Sequence, residues 1–194
     1  MCVDEGQDLA FNEYLLIYEL NAENMVFNIF GDTNQLIKEG RGISDWEPLK
    51  EKFNALVYTL NENYRNTNQI TGFCNSSFKM NVLKSGADGP EVREIPRNAL
   101  EKELASAKVS SERWAILLPR SIRKNAFLNT ECIPDEIGSI IGDETGSGYI
   151  SLMYVDEVKG IEFDRVYVSG RKMCRNEKYI ACTRALTELI LIVE

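Results

Sequence analysis

The chain has 194 residues, 44% of them apolar and 27% charged, with a net charge of −8. That length suits one domain, or one domain with a further piece, and that apolar fraction excludes wholesale disorder. There is no histidine, which excludes histidine catalysis and ligation; the five cysteines (Cys2, Cys74, Cys132, Cys174, Cys182) are scattered without a C-x-x-C pair, so neither a disulfide framework nor a zinc site is expected.

Along the chain, strand and helix patterns alternate, which predicts an α/β fold with a mainly parallel sheet flanked by helices. Met1–Val3 reads as the tail of a strand and Leu9–Leu20 as a helix, followed by a strand over Met25–Phe30 that ends at Gly31-Asp32. Asp45 is placed to cap a short helix over Trp46–Phe53 with Pro48 in its first turn, and Ala55–Leu60 reads as a strand. A second series follows, with a helix over Thr67–Lys79, a loop from Lys84 to Pro90, a strand over Val92–Ile95 and a helix over Leu100–Lys108. Trp114–Leu118 is a continuous apolar run, the mark of a strand buried on both faces, and Pro119 ends it. Ser121–Leu128 is predicted helical, Asp143–Gly148 a turn, and Tyr149–Tyr154 and Arg165–Ser169 strands. A helix over Asn176–Leu186 and a strand over Leu189–Val193 close the series. The apolar runs are too short to span a membrane, the start of the chain does not read as a signal peptide, and a reducing cytoplasm is the expected location.

Five short motifs sit on this frame. They are Val3-Asp4-Glu5-Gly6-Gln7-Asp8, Gly31-Asp32-Thr33-Asn34-Gln35, Leu60-Asn61-Glu62-Asn63-Tyr64-Arg65, Lys159-Gly160-Ile161-Glu162-Phe163-Asp164 and Tyr179-Ile180-Ala181-Cys182-Thr183-Arg184-Ala185. Each alone has an ordinary reading: a surface acid pair, a G-D turn, a core tyrosine beside a surface arginine, a salt bridge at a helix surface. An apolar strand ending in Asp-Glu is also how phosphate-loop ATPases place a Mg²⁺-binding acid and a general base. A neutral amide such as Gln35 can bond a phosphate oxygen and a water together.

In this order and together, the motifs resemble the second half of a superfamily-1 helicase of the UvrD/Rep type, and the resemblance covers nearly the whole chain. It implies a RecA-like lobe of the P-loop NTPase class over residues 61–194, preceded in residues 1–60 by a truncated remnant of the first lobe. It further implies ATP and Mg²⁺ as cofactors. Asp4 would hold the metal, Glu5 would polarise the attacking water, Gln35 would sense the γ-phosphate, and Arg65 and Arg184 would reach that phosphate as arginine fingers. Tyr64 would stack on the adenine and Glu162 would contact the sugar, with Gln7 and Gly160 also at the nucleotide. No G-x-x-x-x-G-K-S/T phosphate loop occurs, so the chain reads as the back part of a motor and is expected not to hydrolyse ATP alone. A weaker match, Ala115-Ile116-Leu117-Leu118-Pro119-Arg120-Ser121, resembles the segment whose arginine and serine touch the DNA backbone, as Arg120 and Ser121 would here. A solvated helix start reads that segment equally well.

The departures fall on the nucleic-acid side. In the stretch after Gln35, Lys38 and Gly40 stand where the family carries base-stacking aromatics, although Arg41 and Gly42 match. Asp156 and Glu157 stand where a histidine and a serine approach the DNA backbone, and carboxylates repel phosphates. Residues 1–60 hold 11 acidic and 4 basic side chains, against 19 and 18 in the remainder, so a strong basic face is missing. Only 93 residues separate Arg65 from Lys159, too few for the inserted subdomain of UvrD and Rep; the short second lobe and the Ala181-Cys182-Thr183-Arg184-Ala185 motif resemble the HelD/helicase IV branch. The resemblance therefore implies an ATP-dependent DNA helicase or translocase, with two alternatives: an ATPase that remodels RNA polymerase, and a degenerate, non-enzymatic binding module. Residues 1–30, as strand and helix cut from a larger sheet, are expected either to pack on the second lobe or to mediate a non-native dimer.

Overall fold

A computed structural model describes residues 1–21, 26–37, 40–105 and 111–193. The chain forms two compact units, Met1–Leu60 and Asn61–Glu194.

In the first unit, β1 (Cys2–Val3) pairs in parallel with β2 (Asn28–Ile29), and α1 (Phe11–Leu20) lies between them in sequence. The α1 start is fixed by Glu13, whose carboxylate accepts the Ala10 N–H at 2.7 Å. Tyr14 is fully buried and donates its hydroxyl to the Gly6 carbonyl at 2.5 Å, which ties the helix to the end of β1. α2 (Glu47–Phe53) begins where Asp45 Oδ1 accepts the Glu47 N–H at 3.0 Å, with Pro48 in its first turn, and ends on Asn54 at φ 47°. Tyr14, Ile43 and Leu49 make a small core, rimmed by Phe27, Trp46 and Phe53.

The strand expected over Ala55–Leu60 does not form. The paired strands described in this unit are β1 and β2, and residues 55–60 run without ladder bonds, leaving Leu56, Tyr58 and Leu60 at least 82% exposed. A run with strand composition becomes a strand only where a neighbour accepts its N–H and C=O groups. The strand expected from Met25 shrinks to the two paired residues of β2, Met25 itself lying outside the described residues.

The second unit holds a six-stranded, all-parallel sheet in the order β5 (Arg93–Pro96), β10 (Ala185–Val193), β9 (Phe163–Ser169), β6 (Trp114–Leu118), β8 (Ile150–Tyr154), β7 (Ile141–Gly142). A two-residue ladder, β3 (Glu62–Asn63) with β4 (Leu83–Lys84), lies apart from it. All five residues of β6 are buried, as a central parallel strand requires. Trp114, Ile116, Leu118, Ile150, Tyr167, Ile190 and Ile192 pack on one side with Leu100 and Leu104 of α4 (Leu100–Ala105). The alternate residues point the other way, to the face where α3 (Asn68–Phe78) contacts β10 and α7 (Arg175–Thr183) contacts β9. Phe78 and Tyr179 join these two helices edge to face, 5.5 Å between ring centroids.

Two of the expected helices are shorter in the structure. The helix expected over Ser121–Leu128 is cut to α5 (Lys124–Phe127), because Ile122 closes a turn on the Pro119 carbonyl and Arg123 is extended. α6 (Asp135–Gly138) follows it. The last helix stops at Thr183 instead of Leu186: the Arg184 carbonyl accepts from Phe163 N–H and the Leu186 carbonyl from Thr67 N–H, so both are taken out of any helical ladder and β10 starts at Ala185. Of the helix expected over Leu100–Lys108, α4 accounts for Leu100–Ala105, and Ser106–Lys108 lie outside the described residues.

Candidate functional site

The first-unit motifs are joined by one side chain. Gln7 is fully buried; its amide nitrogen donates to Glu5 Oε2 at 2.6 Å and its amide oxygen accepts the Asp32 N–H at 3.0 Å. It thus links the acid pair after β1 to the Gly31–Gln35 turn after β2. The backbone closes tightly around it: a Cβ on Gly42 would lie 1.9 Å from the Gln7 carbonyl oxygen, so no side chain fits there. Within the turn, Asp32 accepts from the Asn34 N–H at 2.9 Å and from the Gln35 amide at 3.2 Å, which orients Gln35 back over its own loop. Asp4 and Glu5 are exposed, with Asp4 Oδ1 accepting the Glu5 N–H at 2.9 Å. Glu5 has φ 50° and ψ 38°. Asn54 and Lys79 share that left-handed conformation as ordinary helix C-caps, whereas Glu5 adopts it immediately after a strand end, a strained placement typical of functional loops. Arg41 is exposed, and Lys38 lies outside the described residues.

In the second unit three motifs meet at the amino ends of β9 and β10, with 93 residues between the first and the second along the chain. Phe163 and Ala185 are register partners, and Phe163 N–H donates to the Arg184 carbonyl at 2.9 Å. Asn66 is buried and donates its amide to the carbonyls of Thr183 at 3.1 Å and Ala185 at 2.6 Å. Its amide oxygen accepts from Asn63 at 2.8 Å, and Asn63 Oδ1 in turn accepts the N–H groups of Arg65 and Asn66 at 2.9 and 3.1 Å. Tyr64 and Arg65 are therefore carried on a turn stitched to the end of α7. Arg65 Nε reaches Glu162 Oε1 at 2.8 Å, so the structure unites two of the sequence-derived candidates.

The side chains differ in access. Tyr64 is 71% exposed, its hydroxyl donating to Glu62, whose hydrogen bond and charge push the phenol above its ordinary pKa. Arg65 is exposed. Arg184 is 3% exposed and donates from Nε to the Ile180 carbonyl at 3.3 Å. Gly160 takes φ +75°, yet a Cβ there would meet nothing within 4 Å; glycine is required by its backbone angle, and open space adjoins it. The roles of Asn63 and Asn66 escaped the sequence reading. Their signal was the spacing N-x-x-N around Tyr64-Arg65, which suits an Asx turn.

At the opposite, carboxyl ends of β6 and β8 stand Arg120 and the exposed Ser121. Arg120 is engaged by acids: Nε lies 2.7 Å from Asp156 Oδ2 and Nη2 3.2 Å from Glu157 Oε1. Among the described residues no group of three or more acidic or cysteine side chains could hold a metal ion. Mg²⁺ does not require one, since it commonly takes one or two carboxylates, substrate phosphates and water, and the exposed Asp4 carboxylate fits that mode.

The sequence matches no protein-family model and no curated protein. Solved structures do share its fold. The helicase of PRRSV is similar with a TM-score of 0.56 at 14% identity, covering 98% of this chain and 34% of that one. Arterivirus nonstructural protein 10, a helicase, gives 0.56 at 16% identity over 99% and 38% of the two chains; its structure in complex with DNA gives 0.52 at 14% identity over 100% and 39%. The chain thus has a helicase-like fold, its parallel sheet and flanking helices matching a RecA-like lobe, and it spans about a third of the length of these helicases.

Proposed function

We propose that the chain is the rear portion of an ATP-driven superfamily-1 helicase or translocase of the UvrD type, in which residues 61–194 act as the second RecA-like lobe. The observation that carries this reading is the meeting of three motifs at the amino ends of β9 and β10, with Asn66 bonded to Thr183 and Ala185 and Arg65 paired to Glu162 at 2.8 Å. In the whole protein, ATP would supply the free energy of phosphoryl transfer, with Mg²⁺ neutralising its phosphates. Tyr64 offers an open ring for stacking on the adenine, Glu162 a carboxylate for the sugar hydroxyls, and Arg65 a guanidinium for phosphate once it exchanges its bond to Glu162. Arg184 supplies a second guanidinium, which reaches a ligand only after leaving its bond to the Ile180 carbonyl. Asp4 would hold the metal and Glu5 would accept the proton of the attacking water, both presented by the loop that Gln7 braces. Likeness to a helicase solved with DNA supports nucleic acid as the client.

The test is titration of the chain with a fluorescent adenine nucleotide and Mg²⁺. Binding weakened about tenfold by Arg65→Ala and by Tyr64→Ala, and left intact by Arg41→Ala, supports the reading; equal binding by all variants overturns it. Lacking a phosphate-loop lysine, this chain should show turnover no greater than buffer, and hydrolysis that is abolished by Glu5→Gln would contradict that expectation.

A second reading, an ATPase whose client is RNA polymerase, draws on the pairing of Arg120 with Asp156 and Glu157, which takes a cation away from nucleic-acid phosphates.

A further inference from the structure

The carboxyl ends of parallel strands border the crevice where ligands of such sheets bind. Here that end carries two cations and three carboxylates in one network. Arg120 meets Asp156 at 2.7 Å and Glu157 at 3.2 Å, while Lys124 Nζ meets Glu157 at 3.1 Å and Asp143 at 2.8 Å. Both cations also lie over the Tyr154 ring, 4.7 and 4.9 Å from its centroid. Isolated surface ion pairs contribute little, but these acids are held in place. Asp156 and Glu157 sit on the turn Val155–Glu157, pinned by Val155 and Val158, 1% and 0% exposed, and Glu157 also accepts the Tyr154 N–H at 3.0 Å. Burial alone would lower the Lys124 amine; its bonds to Asp143 and Glu157 outweigh that and hold it above its ordinary pKa. Oxygens set rigidly on a guanidinium fork and a neighbouring ammonium offer what a phosphodiester offers: paired anionic acceptors.

We propose that Asp156 and Glu157 are built-in phosphate surrogates that occupy Arg120 and Lys124 and thereby set how tightly, and up to what salt, this end of the sheet holds a nucleic-acid backbone. The identity of the ligand rests on the helicase reading above. A backbone phosphate binds here only by displacing a carboxylate that is already seated, so two cations that would otherwise release counterions contribute little to affinity. The two residues are thus determinants of specificity, tuning the site towards low non-specific affinity without altering its shape.

The experiment is fluorescence anisotropy of labelled oligothymidylate with three proteins: wild type, the double variant Asp156→Asn with Glu157→Gln, and that double variant carrying Arg120→Gln. Asparagine and glutamine keep the size of the side chains and an acceptor for the Tyr154 N–H, and circular dichroism checks that the fold is retained. Freeing Arg120, with Lys124 still held by Asp143, should tighten binding by about three- to tenfold near 0.1 M salt and steepen the plot of log affinity against log salt by about 0.7, the contribution of one phosphate contact on a single strand. Adding Arg120→Gln should remove most of both gains. An unchanged affinity in the double variant, or no binding by any of the three, overturns the proposal. So does a gain that survives Arg120→Gln, because it would reflect net charge alone. The nucleotide titration reads Tyr64 and Arg65 at the other end of the sheet, so failure here leaves that result standing and failure there leaves this one.

Discussion

Asn66 shows how one side chain can hold a site together. Its buried amide donates to the carbonyls of Thr183, at the end of α7, and Ala185, at the start of β10, and accepts from the half-buried Asn63. Asn66→Ala removes this donor from both carbonyls, and each buried group left unsatisfied costs about 1–3 kcal/mol. A loss of roughly 2–4 kcal/mol in urea unfolding is expected, with a larger loss for Asn66→Asp at neutral pH, where an acceptor would replace the donor. A loss below about 0.5 kcal/mol for the alanine variant, the range of ordinary surface substitutions, would refute this role. Titratable groups set the pH range of stability by the same residue-level logic. Burial raises the Cys74 thiol from 9.0 to about 12, and burial first, then nearby acids, raises Tyr14 and Tyr167 from 10.0 to about 12. The stability these groups lend is complete below their unfolded values and is lost as pH climbs towards about 12. On the acid side, Arg93 holds Glu103 below its ordinary 4.5, so that contribution is present above 4.5 and fades as pH falls through the lowered value. The melting temperature should therefore be flat from about pH 5 to 9 and fall on both sides. Cys74→Ala should reduce the fall between pH 9 and 10, before the tyrosines titrate; an undiminished slope there would show that the thiol is not its source.

At the scale of elements, what the sequence revealed depended on how local the cause was. Trp114–Leu118 was legible because a central strand buried on both faces must be apolar throughout, and α3 because its apolar spacing and its ends agree. The strand expected over Ala55–Leu60 had the right composition but needed a partner, and pairing is not written in the segment itself. Likewise the end of α7 is decided by Phe163 and Thr67, whose N–H groups claim the carbonyls of Arg184 and Leu186 from distant parts of the chain. At the site, the motif residues could be named from order and type. Asn63 stands inside a quoted motif and its side chain bonds within its own turn, whereas the role of Asn66, which fixes that turn, was not legible because it acts through contacts as far as 119 residues away. The burial of Arg184 was equally invisible, being a matter of rotamer and packing. α3 also carries an interior glycine, Gly72, whose added Cβ would meet the flexible end of Lys84, 2.7 Å from Nζ. The lysine can swing aside, so Gly72→Ala should gain roughly 0.5–1 kcal/mol through helix propensity. Chemical denaturation decides this, a net loss meaning that Lys84 is fixed in place.

For the whole molecule, the decisive contrast is between the interiors of the two units. The second encloses a six-stranded sheet with apolar side chains buried against it, whereas among the described residues the buried core of the first unit's cluster is Tyr14, Ile43 and Leu49. A unit of about sixty residues buries proportionally less of its surface and is marginal on that ground alone. The first unit ends in the ladder-free run 55–60, with Leu56, Tyr58 and Leu60 exposed by 82, 82 and 94%. Exposed backbone without hydrogen-bonded neighbours is where proteases cut, and these side chains suit a chymotrypsin-like enzyme. Brief digestion should therefore cleave within residues 56–60 and leave a resistant fragment close to 61–194. That fragment should retain the higher-melting part of the thermal transition, while the amino-terminal piece is degraded. The same three apolar side chains are exposed within five residues of chain, which favours association between copies. Sedimentation velocity should show mass rising with concentration for the wild type and a monomer for the variant with lysine at positions 56, 58 and 60. A monomer at every concentration in the wild type would remove the run as a contact surface. A digestion that proceeds evenly through both units would instead show that the sheet of residues 61–194 depends on the first sixty for its stability.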